Sequence, residues 1–120
     1  MIKVTINGAS GKMGTKVSNL IKNDSSLIEC FDDISCSDLV IDFSQPSSTK
    51  KILKKCVAAK KPIIIGTTGF SNDDLEEIRD AANSIPIVLA ANMSRGIFYL
   101  KKSLASFIHN NQDIQKCVIE

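Results

Sequence analysis

Gly8-Ala9-Ser10-Gly11-Lys12-Met13-Gly14 decides how this chain is read. The cluster follows an apolar run, Ile2-Lys3-Val4-Thr5-Ile6-Asn7. It precedes Thr15 to Lys22, where Val17, Leu20 and Ile21 share one helical face. Strand, glycine turn and helix, in that order, form the context of a dinucleotide phosphate site. In that reading Gly8 lets the chain turn tightly, Gly11 lets the backbone approach a pyrophosphate, and Gly14 lets the helix pack against the strand. The unpaired N–H groups and the positive end of the helix dipole then face the anion. The spacing is G-x-x-G-x-x-G rather than the strict G-x-G-x-x-G, so the cluster taken alone also fits a turn without a ligand.

Outward from the cluster, strand and helix patterns alternate. Leu27–Phe31 and Leu39–Ser44 read as strands. Ser47–Ala59 reads as a helix with Ile52, Leu53, Cys56, Val57 and Ala59 inward, and Pro46 and Ser47 sit where helix starts prefer them. Pro62-Ile63-Ile64-Ile65 is a continuous apolar strand, as expected when helices cover both faces. Ser71–Ala82 reads as a helix, and Ser71 with Asp74 approximates a capping box. Ile85–Ala91 is a further strand. Ser94–His109 is a long helix with Ile97, Leu100, Leu104, Phe107 and Ile108 as its apolar stripe. Repeated β-α units of this kind predict an α/β fold, a Rossmann-like doubly wound parallel sheet with helices on both faces.

The chain's 120 residues suit one domain with a real core. A net charge of +2, spread evenly, argues against nucleic acid or an anionic membrane as partner. The lysines at 50, 51, 54, 55, 60 and 61 fit the solvated face of a helix. No stretch approaches the about 18 apolar residues of a membrane span. The first residues run straight into a strand with no leader or cleavage site, so the reading expects no secretory signal and a cytoplasmic location. Cys30, Cys36, Cys56 and Cys117 form no C-x-x-C pair and read as reduced thiols packed as small apolar groups. No metal site is expected, and His109 reads as a surface or helix-end residue.

In an open parallel sheet, ligands bind beyond the carboxyl ends of the strands. Four loops fall there: Gly8 to Met13, Ser44-Gln45-Pro46, Gly66-Thr67-Thr68-Gly69 and Ala90-Ala91-Asn92-Met93-Ser94. Each alone fits a turn, or for Ser94 a helix cap; together they point to one site. An acidic residue roughly 20 residues past the glycine turn bonds a ribose hydroxyl in such sites. Asp32 and Asp33 end the second strand, and Asp33 lies 19 residues past Gly14. Ile34-Ser35 follow rather than an arginine, which fits NADH better than NADPH, although Lys12 can accommodate a 2′-phosphate.

Four segments match one family together: Gly8 to Gly14, Val40-Ile41-Asp42-Phe43-Ser44-Gln45-Pro46, Ile65-Gly66-Thr67-Thr68-Gly69-Phe70, and Ala90-Ala91-Asn92-Met93-Ser94-Arg95-Gly96. The chain resembles the N-terminal nucleotide-binding domain of dihydrodipicolinate reductase (4-hydroxy-tetrahydrodipicolinate reductase), an enzyme of lysine and diaminopimelate biosynthesis. The resemblance implies NAD(P)H-dependent reduction of 4-hydroxy-tetrahydrodipicolinate to tetrahydrodipicolinate. It places Gly8, Ala9, Ser10, Gly11, Lys12 and Met13 on the pyrophosphate, and Asp32 or Asp33 on the adenosine ribose. It places Gly66, Thr67 and Thr68 on the nicotinamide side, and Ala90, Ala91, Asn92 and Met93 over the nicotinamide ribose and ring. Ser44 joins the cofactor set through its loop, and Thr68 is the one residue expected to touch substrate.

The stretch between the first helix and Asp42 is shorter than the family pattern, which leaves the acidic position open between Asp32 and Asp33. Residues 1–112 are expected to form the dinucleotide-binding domain, and residues 113–120 to begin a strand leading into a substrate and catalytic domain. The family's His-His pair, lysine and Pro-Ser-Gly-Thr loop do not occur in these residues, so no catalytic residue is assigned here and the chain by itself is expected to be inactive. The family enzyme is a homotetramer assembled through its C-terminal domain. The alternatives are the front half of another oxidoreductase, such as a semialdehyde or homoserine dehydrogenase, and a stand-alone NAD(H)-binding module without turnover.

Overall fold

A computed structural model describes residues 1–31, 33–90 and 93–110. The elements run β1 (Ile2–Asn7), α1 (Lys12–Lys22), β2 (Leu27–Glu29), β3 (Leu39–Asp42), α2 (Pro46–Ala59), β4 (Ile63–Ile65), α3 (Asn72–Ala81), β5 (Ile87–Leu89) and α4 (Arg95–Asn110). A single 3₁₀ turn, Ile34–Cys36, joins β2 to β3. All strand pairs are parallel, in the order β2-β1-β3-β4-β5. The chain first steps from β1 outward to β2, then returns past β1 to β3 and continues the other way. The direction reverses between β1 and β3, the place where doubly wound sheets open a crevice beyond their strand ends.

Adjacent residues of a strand face opposite sides of the sheet, and the side chains divide accordingly. Val4, Ile6 and Ile41 pack with Val17 and Ile21 of α1. Val40, Ile63 and Ile65 pack with Leu53 and Cys56 of α2 and Ile78 of α3. The apolar positions expected along α2 all join that second cluster, Ile52, Val57 and Ala59 at its margin. Helices therefore lie on both faces, as the β-α alternation predicts.

The element boundaries differ from the sequence expectation by small amounts. The strands are shorter, because ladder pairing ends before the apolar runs do. Pro46 itself opens α2, at a position that needs no N–H donor. The 3₁₀ turn was not anticipated; it packs Ile34 into the α2–α3 core.

Coverage is uneven. Val88 and Leu89 of β5 are exposed, at 56% and 43%, as are Phe98, Tyr99 and Leu100 of α4. Leu100 belongs to the expected apolar stripe of α4, whose Ile97 and Leu104 are half-buried. The side chains of Phe107 and Ile108 lie outside the described set, as do residues 111–120, so the expected strand at 113–120 and Cys117 are not described. The lysines of α2 are solvated as expected except Lys50, which pairs with Asp74 and Glu77 of α3 at 2.9 and 3.1 Å. Cys56 is buried, but Cys36 is exposed, a correction to the expectation that the thiols pack as apolar groups. Among the described residues no helix is long and apolar enough to cross a membrane.

Candidate functional site

The four strand-end loops start at one level. Asn7, Asp42, Ile65 and Leu89 are successive register partners across β1, β3, β4 and β5. The next residues are therefore Gly8, Phe43, Gly66 and Ala90. The ladder continues one step into the loops: Phe43 N–H donates to Asn7 O (3.0 Å), Gly66 N–H to Asp42 O (2.8 Å) and Ala90 N–H to Ile65 O (3.1 Å). One edge of the sheet thus presents every segment singled out in the sequence.

The glycines of the first loop have separable jobs. Gly8 has φ +84°, and a Cβ there would lie 2.4 Å from the Phe43 carbonyl oxygen. That combination of left-handed backbone and close approach admits only glycine without strain. Gly14 is buried in the first turn of α1, where a Cβ would lie 2.0 Å from the Gly8 carbonyl oxygen. It lets the helix sit directly on the turn. Gly11 is different: it is the N-cap of α1, exposed, with ordinary φ of −75°, and a Cβ would be 3.3 Å from Gly8 O. The protein itself demands glycine less strictly there than at Gly8 or Gly14.

The N-terminus of α1 is left open. Its first-turn N–H groups have no intrahelical acceptor. Gly11 supplies no side-chain cap, and no acidic residue stands in the first turn. Lys12 occupies the first helical position instead, a cation at the positive end of the dipole, unfavourable unless an anion arrives. Lys12, Ser10 and Met13 are exposed, and Ala9 is half-buried against the β1–α1 core.

Behind this turn lies a polar network that the sequence reading did not anticipate. Asp42 is fully buried. Its Oδ1 accepts from Asn7 Nδ2 (2.8 Å) and Ser44 Oγ (2.5 Å), and its Oδ2 accepts from Thr49 Oγ1 (2.5 Å) and Thr67 Oγ1 (2.9 Å). Thr67 Oγ1 in turn accepts from the Ser44 N–H at 3.0 Å. Asn7 Nδ2 also lies 3.0 Å from Ser44 Oγ and 3.1 Å from Ser48 Oγ. Burial pushes the nearby Cys56 thiol up to about 11, and the Asp42 charge adds to the shift, so Cys56 is an inert packed thiol.

The expected site residues therefore divide by what their side chains do. Thr67 is 4% exposed and its hydroxyl is committed inward to Asp42 and Ser44. Thr68, one residue on, is exposed at the edge. Ser44 is half-buried and donates to Asp42. Gly66 owes its identity to Phe43, since a Cβ there would sit 2.1 Å from the Phe43 ring. Ala90 is half-buried, and Met93 is exposed beside Phe98 and Tyr99. Asp33 is exposed just past β2, with its Oδ2 accepting from Ser35 Oγ at 2.9 Å. Asp32, Ala91 and Asn92 lie outside the described residues. Ser94 Oγ accepts from Ile97 N–H at 3.4 Å, consistent with its expected role as a cap. His109 sits exposed in the last turn of α4. A separate cleft of about 400 Å³ between α2 and α3, lined by Lys50, Leu53, Lys54 and Glu77, is walled by helix flanks and contains no strand-end residue.

The sequence reading missed Asn7, Asp42 and Phe43 as parts of the site. A signal was present: Asp42 ends an otherwise apolar strand, within seven residues of Ser44, Ser48 and Thr49. A charge on the buried face of a strand needs donors of this kind.

A glycine turn, an open helix N-terminus and a strand-order reversal at the same edge define a Rossmann-like α/β domain. Residues 24–93, more than half of the chain, match the family model described as dihydrodipicolinate reductase, N-terminus. The chain belongs to the dihydrodipicolinate reductase family, as part of its N-terminal domain. It is 38% identical, over 92% of its length, to the 4-hydroxy-tetrahydrodipicolinate reductase of Alkaliphilus oremlandii (strain OhILAs), of which it covers 51%. It is 35% identical, over 96% of its length, to that of Akkermansia muciniphila, of which it covers 52%. The chain thus spans about half the length of the curated relatives it matches. The dipicolinate-bound dihydrodipicolinate reductase from Paenisporosarcina sp. TG-14 has the same fold, with a TM-score of 0.71 at 21% identity, over 90% of this chain and 53% of that one.

Proposed function

We propose that this chain forms the cofactor-holding part of an NAD(P)H-dependent reductase acting on 4-hydroxy-tetrahydrodipicolinate. The observation that carries the reading is the uncapped N-terminus of α1 behind Gly8 and Gly14, at the β1/β3 switch point. Gly8 and Gly14 let the strand end, the turn and the helix close directly on one another, since a Cβ at either would meet backbone, and the open N–H groups so presented suit a pyrophosphate. The family membership supplies the reaction class.

In this reading Gly8 to Met13 bind the pyrophosphate through backbone N–H groups, with Lys12 adding charge. Asp33 or Asp32 binds the adenosine ribose. Gly66 and Thr67 shape the nicotinamide side by backbone, since the Thr67 hydroxyl points inward. Ser44 holds the β3 loop, and Ala90 to Met93 close the nicotinamide end. Thr68, exposed at the edge, is the residue placed to meet substrate. When bound, the nicotinamide supplies the hydride; the protein positions it and shields the ring from water.

NADH is the preferred form in this proposal. An exposed acid at the ribose position favours a free 2′-hydroxyl and disfavours a 2′-phosphate, and Ile34-Ser35 offer no cation beside it. Fluorescence titration of the chain with NADH and with NADPH tests both levels. Saturable binding with NADH at least as tight as NADPH is expected. About tenfold tighter NADPH would overturn the preference, and no binding of either to the folded chain would overturn the site.

A further inference from the structure

We infer that the buried carboxylate of Asp42 is a positioning residue, which sets the β4 loop against the β3 loop and so fixes the nicotinamide half of the site. The inference rests on the proposed cofactor site and adds a residue that never touches the ligand.

A buried charge is expensive for a core to hold, and an apolar side chain of similar size usually serves stability as well or better. Asp42 stands where the pattern of β3 calls for such a side chain: it shares a face with Val40, and its register neighbour on β4 is the buried Ile65. Among the described residues no lysine or arginine pairs with it. It is held by four neutral donors, enough to use both oxygens fully.

The origin of those donors is what points to positioning. Asn7 immediately precedes the Gly8 turn, Ser44 is in the β3 loop, Thr49 is in the first turns of α2, and Thr67 is in the β4 loop. One carboxylate therefore joins the β3 and β4 loops to the end of β1 beside the Gly8 turn, which are three of the four strand ends of the site. The links are not equally redundant. Asn7 keeps acceptors at Ser44 and Ser48 if Asp42 is lost. The Thr67 hydroxyl donates to Asp42 and accepts from Ser44 N–H, so among the described residues it is the single side-chain hydrogen-bond tie between the β3 and β4 loops, beside the packing of the Phe43 ring on Gly66. Loss of the carboxylate should loosen the Gly66–Thr68 side and leave the Gly8 turn in place.

Asp42→Asn keeps size and shape but turns one acceptor oxygen into a donor facing two donors. Thr67→Val removes only the bridging hydroxyl, and Thr67→Ser restores it. The readouts are Kd for NADH, Kd for ADP-ribose, which lacks the nicotinamide, and the thermal midpoint. In Asp42→Asn and Thr67→Val, NADH should bind about tenfold more weakly or worse, while ADP-ribose stays within about threefold; Thr67→Ser should bind NADH within about threefold of the original. Equal weakening of both ligands, or no change in either, would overturn the positioning role. If Asp42→Asn does not fold, Thr67→Val and Thr67→Ser decide by the same criteria. An unsubstituted chain that binds neither ligand would overturn the cofactor site itself, and the positioning role with it.

Discussion

Helices α1 and α3 each follow a strand of the same parallel sheet, yet their N-termini are finished in opposite ways. At α3 the sequence closes the end. The Ser71 hydroxyl accepts from the Asp74 N–H at 3.2 Å, and the Asp74 carboxylate accepts from the Ser71 N–H at 2.9 Å. Asp73 and Asp74 complement the dipole, and Arg79 stands in the last turn. Lys50 of α2 adds an ion pair to Asp74 at 2.9 Å. At α1 there is no cap, no acid, and a lysine at the first position. A helix end that the chain closes at α3 is left without a side-chain cap at α1, as it also is at α2, where Pro46 opens the helix instead. In the proposed reading the open end of α1 serves a ligand, while the closed end of α3 serves local stability. Both ends were visible in the sequence, because caps and glycine turns depend on near neighbours in the chain.

Substitutions at the two ends sharpen that contrast. The largest effect is expected for Gly14→Ala, whose Cβ would meet the Gly8 carbonyl at 2.0 Å. Backbone on both sides leaves little to give, and a loss of about 3 kcal/mol in urea unfolding is expected. Gly11→Val should separate affinity from stability. Its backbone angle suits a β-branched residue, and the nearest neighbour of the added Cβ is the Gly8 carbonyl oxygen at 3.3 Å, a tight contact but far milder than that at Gly14, so the unfolding free energy should fall by about 1 kcal/mol. NADH affinity should fall about tenfold or more, ~1.4 kcal/mol, because the side chain stands where the pyrophosphate would lie. Unchanged affinity in the folded variant would break the contrast.

At α3 the converse is expected. Ser71→Ala removes the cap and should cost about 1 kcal/mol of stability while leaving NADH affinity as it was. The smallest effect is electrostatic. The Lys50 ion pair, followed by the hydrogen bonds from Ser71, holds the Asp74 carboxyl down to about 2 from the ordinary 3.8. Because the folded value is the lower one, this contribution is present above about pH 4 and disappears as pH falls toward 2. Acid titration of the unfolding free energy should therefore show a slope between these pH values that is reduced in Asp74→Asn. An identical slope in the variant would remove Asp74 from the account.

Legibility followed sequence distance. β1, the roles of Gly8 and Gly14, the α2 core positions and the Ser71 box rest on short-range patterns and were readable. The Asp42 network was not, since its donors come from positions 7, 44, 49 and 67 and meet only when β1, β3 and β4 align. Gly66 was readable as a loop glycine, but its reason, the Phe43 ring, is a cross-strand contact. Thr67 and Thr68 are indistinguishable by type, and only the fold turns one inward and the other outward. The apolar run Ile85–Ala91 reads as a strand, and Val88 and Leu89 within it lie exposed among the described residues. Periodicity reports which faces are apolar and is silent about what covers them.

The most direct test of the central claim is an NADH titration of the chain followed by amide resonances in an N–H correlation spectrum. The open end of α1 is predicted to respond, with saturable shifts at Gly8 to Thr15 and at the Gly66–Thr68 loop, and none at Ser71 to Leu75. Shifts centred on the α2–α3 cleft, or none at the Gly8 turn at saturating NADH, would contradict it.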